Sequence, residues 1–192
     1  FKVDSAGNQL PYADRLVFHI IPDRQVILLK FINGELDLLG RYTQINMLPT
    51  LRANEPKGTY TLKFATPTPA SALRINWDTP RPELRRAFRD KRVRVALSHA
   101  LNRQEIGEIV YQGMLIPSGF TFGPGSRYYS EKLTKAYSAY DPDTSRGLLD
   151  ECGYVDSDGD GIRELGDGSP FELMIDVIPG LGTDVCQLVT EC

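Results

Sequence analysis

The chain has 192 residues, enough for one domain with a real core or for parts of two. Apolar residues make up 41% and charged residues 24%, which excludes a disordered or fibrous chain. The net charge of -3 argues against a nucleic-acid surface, and no apolar run is long enough to cross a bilayer.

The first residues, Phe1-Lys2-Val3-Asp4, carry neither an initiator Met nor a leader and read as the middle of a longer protein. Gly7 to Pro11 predicts a turn, and Arg15 to Ile21, rich in Val, Phe and Ile, predicts a strand. Pro22-Asp23 starts a helix through Phe31, with Val26, Leu29 and Ile32 at helical spacing and Asn33-Gly34 as its stop. Leu36 to Leu39 predicts a short buried strand. Gln44 to Asn54 predicts a helix whose start is blurred by Pro49. Thr59 to Ala65 alternates polar and apolar residues as a strand does.

Pro67 and Pro69 break the chain before another strand, Ala72 to Trp77. Two helices are then expected, Pro82 to Phe88 and Lys91 to Leu101, the second with Val93, Ala96, Leu97 and Ala100 inward. They carry a basic row, Arg81, Arg85, Arg86, Arg89, Lys91, Arg92 and Arg94. Glu83 and Asp90 interrupt it, so it reads as a solvated helix surface. Asn102 can cap a third helix with Glu105 as its partner, and Ile106, Ile109 and Val110 as its apolar face. A Gly-, Pro- and Ser-rich loop spans Gln112 to Ser130. Asp141-Pro142 starts a further helix with Leu148, Leu149 and Cys152 as its stripe. Phe171 to Ile178 predicts a last strand, and Thr183 to Cys192 opens a helix that stops with the chain. Strands alternating with helices predict an α/β fold.

Enzyme signatures are missing. There is no nucleophile elbow, phosphate loop or histidine pair for a metal hydrolase. Cys152, Cys186 and Cys192 fit no zinc spacing and are expected to be free. His19 falls in a strand pattern and His99 in a helix pattern, as packed or surface residues.

The sharpest local motif is Asp156 to Asp167. Asp156, Asp158, Asp160, the Ile162 carbonyl, Glu164 and Asp167 occupy positions one, three, five, seven, nine and twelve of a calcium loop. Gly161 stands at the sharp turn. A structural calcium ion is the one cofactor such a loop would take; the competing reading is a polar turn before Phe171, its acids solvated.

Three stretches carry a family resemblance: Gly7 to Gly40, Leu73 to Ile106, and Tyr140 to Leu165. The runs DKRVRVALSHALNR (Asp90 to Arg103) and YDPDTSRGLLDECGY (Tyr140 to Tyr154) are its most specific parts. Colinear and spanning nearly the whole chain, they resemble the extracellular solute-binding proteins, family 5, that serve ABC importers for peptides, nickel and oligosaccharides. The resemblance implies a partial periplasmic-binding-protein-like fold. Residues 1–77 would end the first lobe with a hinge strand, and residues 78–192 would begin the second.

It further implies a solute-binding function with no catalysis, an extracytoplasmic location, and a peptide or oligosaccharide ligand passed to an ABC permease. Contact with a membrane would come only through a lipid anchor or that permease. Candidate ligand contacts are Gly40, Arg41 and Tyr42 at a cleft edge, Asn76 and Trp77 on the hinge strand, and Phe120 and Arg127 in the long loop. Trp77 has a second reading as core filler beside Phe88, and Arg41 as an exposed loop residue. A calcium-dependent scaffold and an α/β hydrolase are the readings from other classes.

Overall fold

The computed structural model describes residues 2–40, 43–58, 60–64, 72–119, 122–177 and 182–190. Packing divides the chain into two compact units, Phe1–Lys63 and Phe64–Cys192.

The first unit opens with a hairpin, β1 (Lys2–Val3) paired antiparallel with β2 (Gln9–Leu10). Asp4 organises its turn. One carboxylate oxygen accepts the amides of Ala6 and Asn8, and the other accepts the Asn8 side chain and the Tyr12 hydroxyl. Helix α1 (Arg24–Ile32) is capped by Asp23, which accepts from the amides of Gln25 and Val26. It ends in a Schellman turn: Gly34 takes a φ of +76° and donates to Phe31, while Glu35 donates to Lys30. A 3-10 turn (Ile45–Met47) leads into α2 (Leu48–Asn54), so Pro49 falls in the first turn, where its missing amide costs nothing.

The core of this unit joins Leu28 and Phe31 to Met47 and Leu51, with the Tyr60 ring tilted against Phe31 at 4.7 Å. Its buried face on α1 is therefore Leu28 and Phe31; Val26 and Leu29, expected inward, are exposed. Helix α1 is apolar nearly all round from Val26 to Ile32, so spacing alone could not choose the face.

In the second unit, α3 (Pro82–Arg89) and α4 (Lys91–Ala100) meet at Asp90, whose carboxylate caps α4 through the Arg92 amide. Asn102 caps α5 (Arg103–Ile109), and its own amide group donates to Glu105. Ile106 is buried there, while Ile109 faces outward. Ser130 caps α6 (Glu131–Lys135), Asp141 caps α7 (Pro142–Glu151), and α8 spans Thr183–Thr190. Helix α4 packs along α7. Three bonds tie the end of α4 to the chain leading into α7: Ser98 Oγ to Tyr137, His99 Nδ1 to Ala139, and the Asp141 amide to His99.

The core here is Leu84, Ala87, Phe88, Val93, Tyr154 and Leu165, with Ile75, Leu149, Cys152 and Phe171 against it. Tyr154 and Phe171 stack in parallel at 5.1 Å. Cys152 and Cys186 are free thiols; Cys192 lies outside the described residues.

Two expectations change. The basic row is not simply solvated. Arg81 donates to the carbonyls of Pro170 and Glu172, Arg85 to Thr79, and Arg94 to Phe88; Arg86, Arg89 and Arg92 pair with Glu83, Asp78 and Asp90. Guanidinium forks reach backbone carbonyls, a pairing that spacing cannot reveal. The α/β expectation holds only in part. Among the described residues, β1–β2 is the one ladder, and a separate isolated bridge pairs Glu164 with Pro170. Arg15 to Ile21, Leu36 to Leu39, 60–64, 72–77 and 171–177 carry strand-like sequence but no ladder. A strand is completed by its neighbour's hydrogen bonds, and among the described residues these segments show no such ladder beyond the single bond from the Phe171 amide to the Arg163 carbonyl.

Candidate functional site

The hinge-strand candidates sit together on one turn. Asn76 accepts the Asp78 amide on its side chain at 3.0 Å and the Thr79 amide on its carbonyl at 3.4 Å. This Asx turn presents Trp77 outward. Trp77 is 49% exposed, so it does not fill the core built around Phe88. The guanidinium of Arg94 lies over the indole, with Cζ 4.5 Å from the ring centre. Arg94 is itself anchored, since Nη1 donates to the Phe88 carbonyl at 2.7 Å. Beyond the turn, Asp78 is paired with Arg89 at 3.1 Å. Chemically the turn offers a broad apolar face backed by a cation, next to an amide that still has its side-chain N–H groups.

In the long loop, Arg127 lies over the ring of Tyr128 and donates to its hydroxyl, while Phe122 packs against the same ring at 5.5 Å. All three are exposed. Phe120 lies outside the described residues, as do Arg41 and Tyr42. Gly40, in the first unit, is exposed with open space where a side chain would stand, and its carbonyl accepts the Thr43 hydroxyl.

The acidic loop brings Asp156, Asp158, Asp160 and Glu164 together, with one carboxylate oxygen of each within 4.8 Å of the others. The loop is closed by its own amides. Asp156 accepts from Gly159 and Gly161, Asp158 from Asp160, Asp160 from Ile162, and Glu164 from Ser157. Gly159 and Gly161 have φ of +82° and +91°, which the tight winding requires. Asp167 is not part of this group. It caps the next turn, accepting the Ser169 amide and hydroxyl, and these bonds hold its carboxyl below its usual range. The reason is local: Gly168 bends the chain so that Leu165 can accept from Gly168 and pair with Ser169. Ile162 adds a carbonyl to the loop by position only; its amide is spent on Asp160.

Sequence reasoning missed Arg94. Nothing in the spacing pairs residues 77 and 94. The available signal was its place beside Val93, a fully buried position on α4, where an arginine has to find partners within the protein.

The comparisons agree with this architecture. The chain resembles the solved structure of the oligopeptide-binding protein OppA, with a TM-score of 0.70 and 37% identity over 89% of this chain and 28% of that one. It is 26% identical to the oligopeptide-binding protein AppA of Bacillus subtilis, over 94% of this chain and 32% of that protein. It is 27% identical to a nickel-binding periplasmic protein of Escherichia coli, over 91% and 31%. With a periplasmic alpha-galactoside-binding protein of Rhizobium meliloti the identity is 28%, over 84% and 24%. The chain therefore spans about a third or less of the length of these relatives. Its fold is part of the OppA-type binding-protein fold, and the family it matches is one of solute-binding proteins rather than enzymes. The model for "Bacterial extracellular solute-binding proteins, family 5 Middle" matches residues 3–191, and the chain belongs to that family.

Proposed function

We propose that this chain is the middle portion of the solute-binding component of an ABC importer, and that its solute is an extended peptide. The observation that carries the reading is the half-exposed Trp77 on the Asn76 turn. It is a large flat apolar surface beside a free amide group, in a chain whose family binds solutes. An extended peptide offers backbone groups to the amide and an apolar side chain to the indole. The 37% identity with an oligopeptide-binding protein favours peptide over the galactoside and nickel named for more distant relatives. In this reading residues 72–78 connect the two lobes, Gly40, Arg41 and Tyr42 edge the cleft, and Phe120 and Arg127 lie on its rim. The protein works outside the cytoplasm, in the periplasm or on the outer face of the membrane. It hands its ligand to a permease. A lipid anchor or that permease supplies membrane contact; no helix among the described residues is long and apolar enough to cross a bilayer.

The test is mass spectrometry of the solute that co-purifies with the full-length protein, followed by calorimetric titration with that solute. Peptides of a few residues are expected. An alpha-galactoside or a metal chelate would keep the binding role and overturn the peptide assignment. Turnover of the bound solute would sink the non-catalytic reading.

A further inference from the structure

We infer that Arg94 is a positioning residue for peptide binding at Trp77: its anchored guanidinium covers one side of the indole and fixes the ring's orientation. The inference rests on the reading of Trp77 as a solute contact. Three observations carry it. The Arg94 guanidinium lies 4.5 Å from the centre of the indole, the geometry of a cation–π pair. Arg94 cannot swing freely, because Nη1 is bonded to the Phe88 carbonyl and its neighbour Val93 is fully buried in the core. Trp77, by contrast, is half exposed and sits on a turn closed by Asn76. An indole so exposed would sample several rotamers without a partner, and ordering it would then oppose binding. The cation holds it in advance. The other ion pairs nearby do not compete for this role, since Arg89 is taken by Asp78 and Arg92 by Asp90.

The experiment uses the full-length protein with trileucine as the peptide probe, in four forms: unaltered, Trp77→Ala, Arg94→Gln and Arg94→Lys. Binding is measured by titration calorimetry. Trp77 orientation is read by near-ultraviolet circular dichroism and acrylamide quenching, with a Trp77→Phe protein subtracted. Arg94→Gln should weaken trileucine binding about tenfold, as loss of one cation–π contact in a pre-ordered site would. It should also raise the quenching of Trp77. Arg94→Lys, which keeps the charge but not the planar fork, should recover part of both. A merely structural role would lower the melting temperature without moving the quenching.

The failures are separable. No trileucine binding by the unaltered protein overturns the peptide reading, and the inference with it. Binding unchanged in Trp77→Ala overturns the placement of the solute at Trp77. Binding weakened in Trp77→Ala but unchanged in Arg94→Gln overturns the inference alone. If Arg94→Gln does not fold, Arg94→Lys decides: binding and quenching both equal to the unaltered protein would count against a role for the guanidinium plane.

Discussion

Asp90 shows how much one residue can carry. It ends α3, caps α4 through the Arg92 amide at 2.8 Å, pairs with the Arg92 guanidinium at 2.7 Å, and accepts the Cys152 thiol at 3.8 Å. The Arg92 side-chain bond, then the Arg92 amide, bring its carboxyl down to about 2. An unfolded aspartate titrates near ~3.9. Because the folded value is the lower one, this contribution is complete above pH ~4 and is lost as pH falls towards ~2. Asp90→Ala should therefore cost about 1 kcal/mol at neutral pH through loss of the cap. It should also flatten the acid limb of stability between roughly pH 4 and 2. Urea unfolding at pH 7 and pH 3 would check both. If Asp90→Ala kept the full acid sensitivity, the titrating group would lie elsewhere. Val93, fully buried on the next turn, makes a contrasting site. Val93→Ala removes two methyl groups from a packed core, at about 2 kcal/mol with no dependence on pH.

At the scale of elements, caps and stops were the most legible features. Asp23, Asn102 and Asp141 each sit where the sequence places a helix start, and Gly34 where it places a stop. These signals are local, because a cap and its amide lie within three residues of each other. What the sequence could not show is anything decided across distance. The inward face of α1, the carbonyls that Arg81 reaches, and the approach of Arg94 to Trp77 depend on how the elements pack. The acidic loop was half legible: its pattern foretold four clustered carboxylates but not the diversion of Asp167. That diversion bears on calcium. The ion takes roughly six to eight oxygens, and a two-oxygen carboxylate at position twelve normally closes the set. With Asp167 held by Ser169, the loop lacks its closing ligand and is expected to stand without a cation. Melting should be the same in millimolar calcium as in chelator; a rise of several degrees with calcium would instead assign the loop a structural ion. Asp156→Ala, which removes the acceptor for both Gly159 and Gly161, should cost about 1 kcal/mol in either case.

For the whole molecule, the strand-like segments without ladders are the informative feature. Leu16, Val17, Phe18 and Ile20 are all exposed, Phe18 at 86% and Ile20 at 95%. Neither alternate face of that run is covered, so it is not a strand with one side in solvent. It has the composition of a strand buried on both sides, with its partners unfilled. In 171–177 one alternate face is partly covered, through Phe171, Ile175 and Val177, while Leu173 and Met174 remain exposed. The relatives are about three times as long as this chain, so they have ample length to supply neighbouring strands. Amide hydrogen exchange resolves the point. In the 192-residue chain alone, the amides of 15–21 and 172–177 should exchange at close to unprotected rates, while α4 and α7, packed on each other, should be protected. In the full-length protein, both segments should gain protection of the order found in helix cores, because a ladder hydrogen-bonds alternate amides of each strand. The exposed apolar run should also make the short chain self-associate with rising concentration, a behaviour that the full-length protein would lack. Fast exchange of 15–21 in both proteins would mean that this segment is a surface loop whose apolar residues serve contact with another molecule, and the sheet assignment there would be lost.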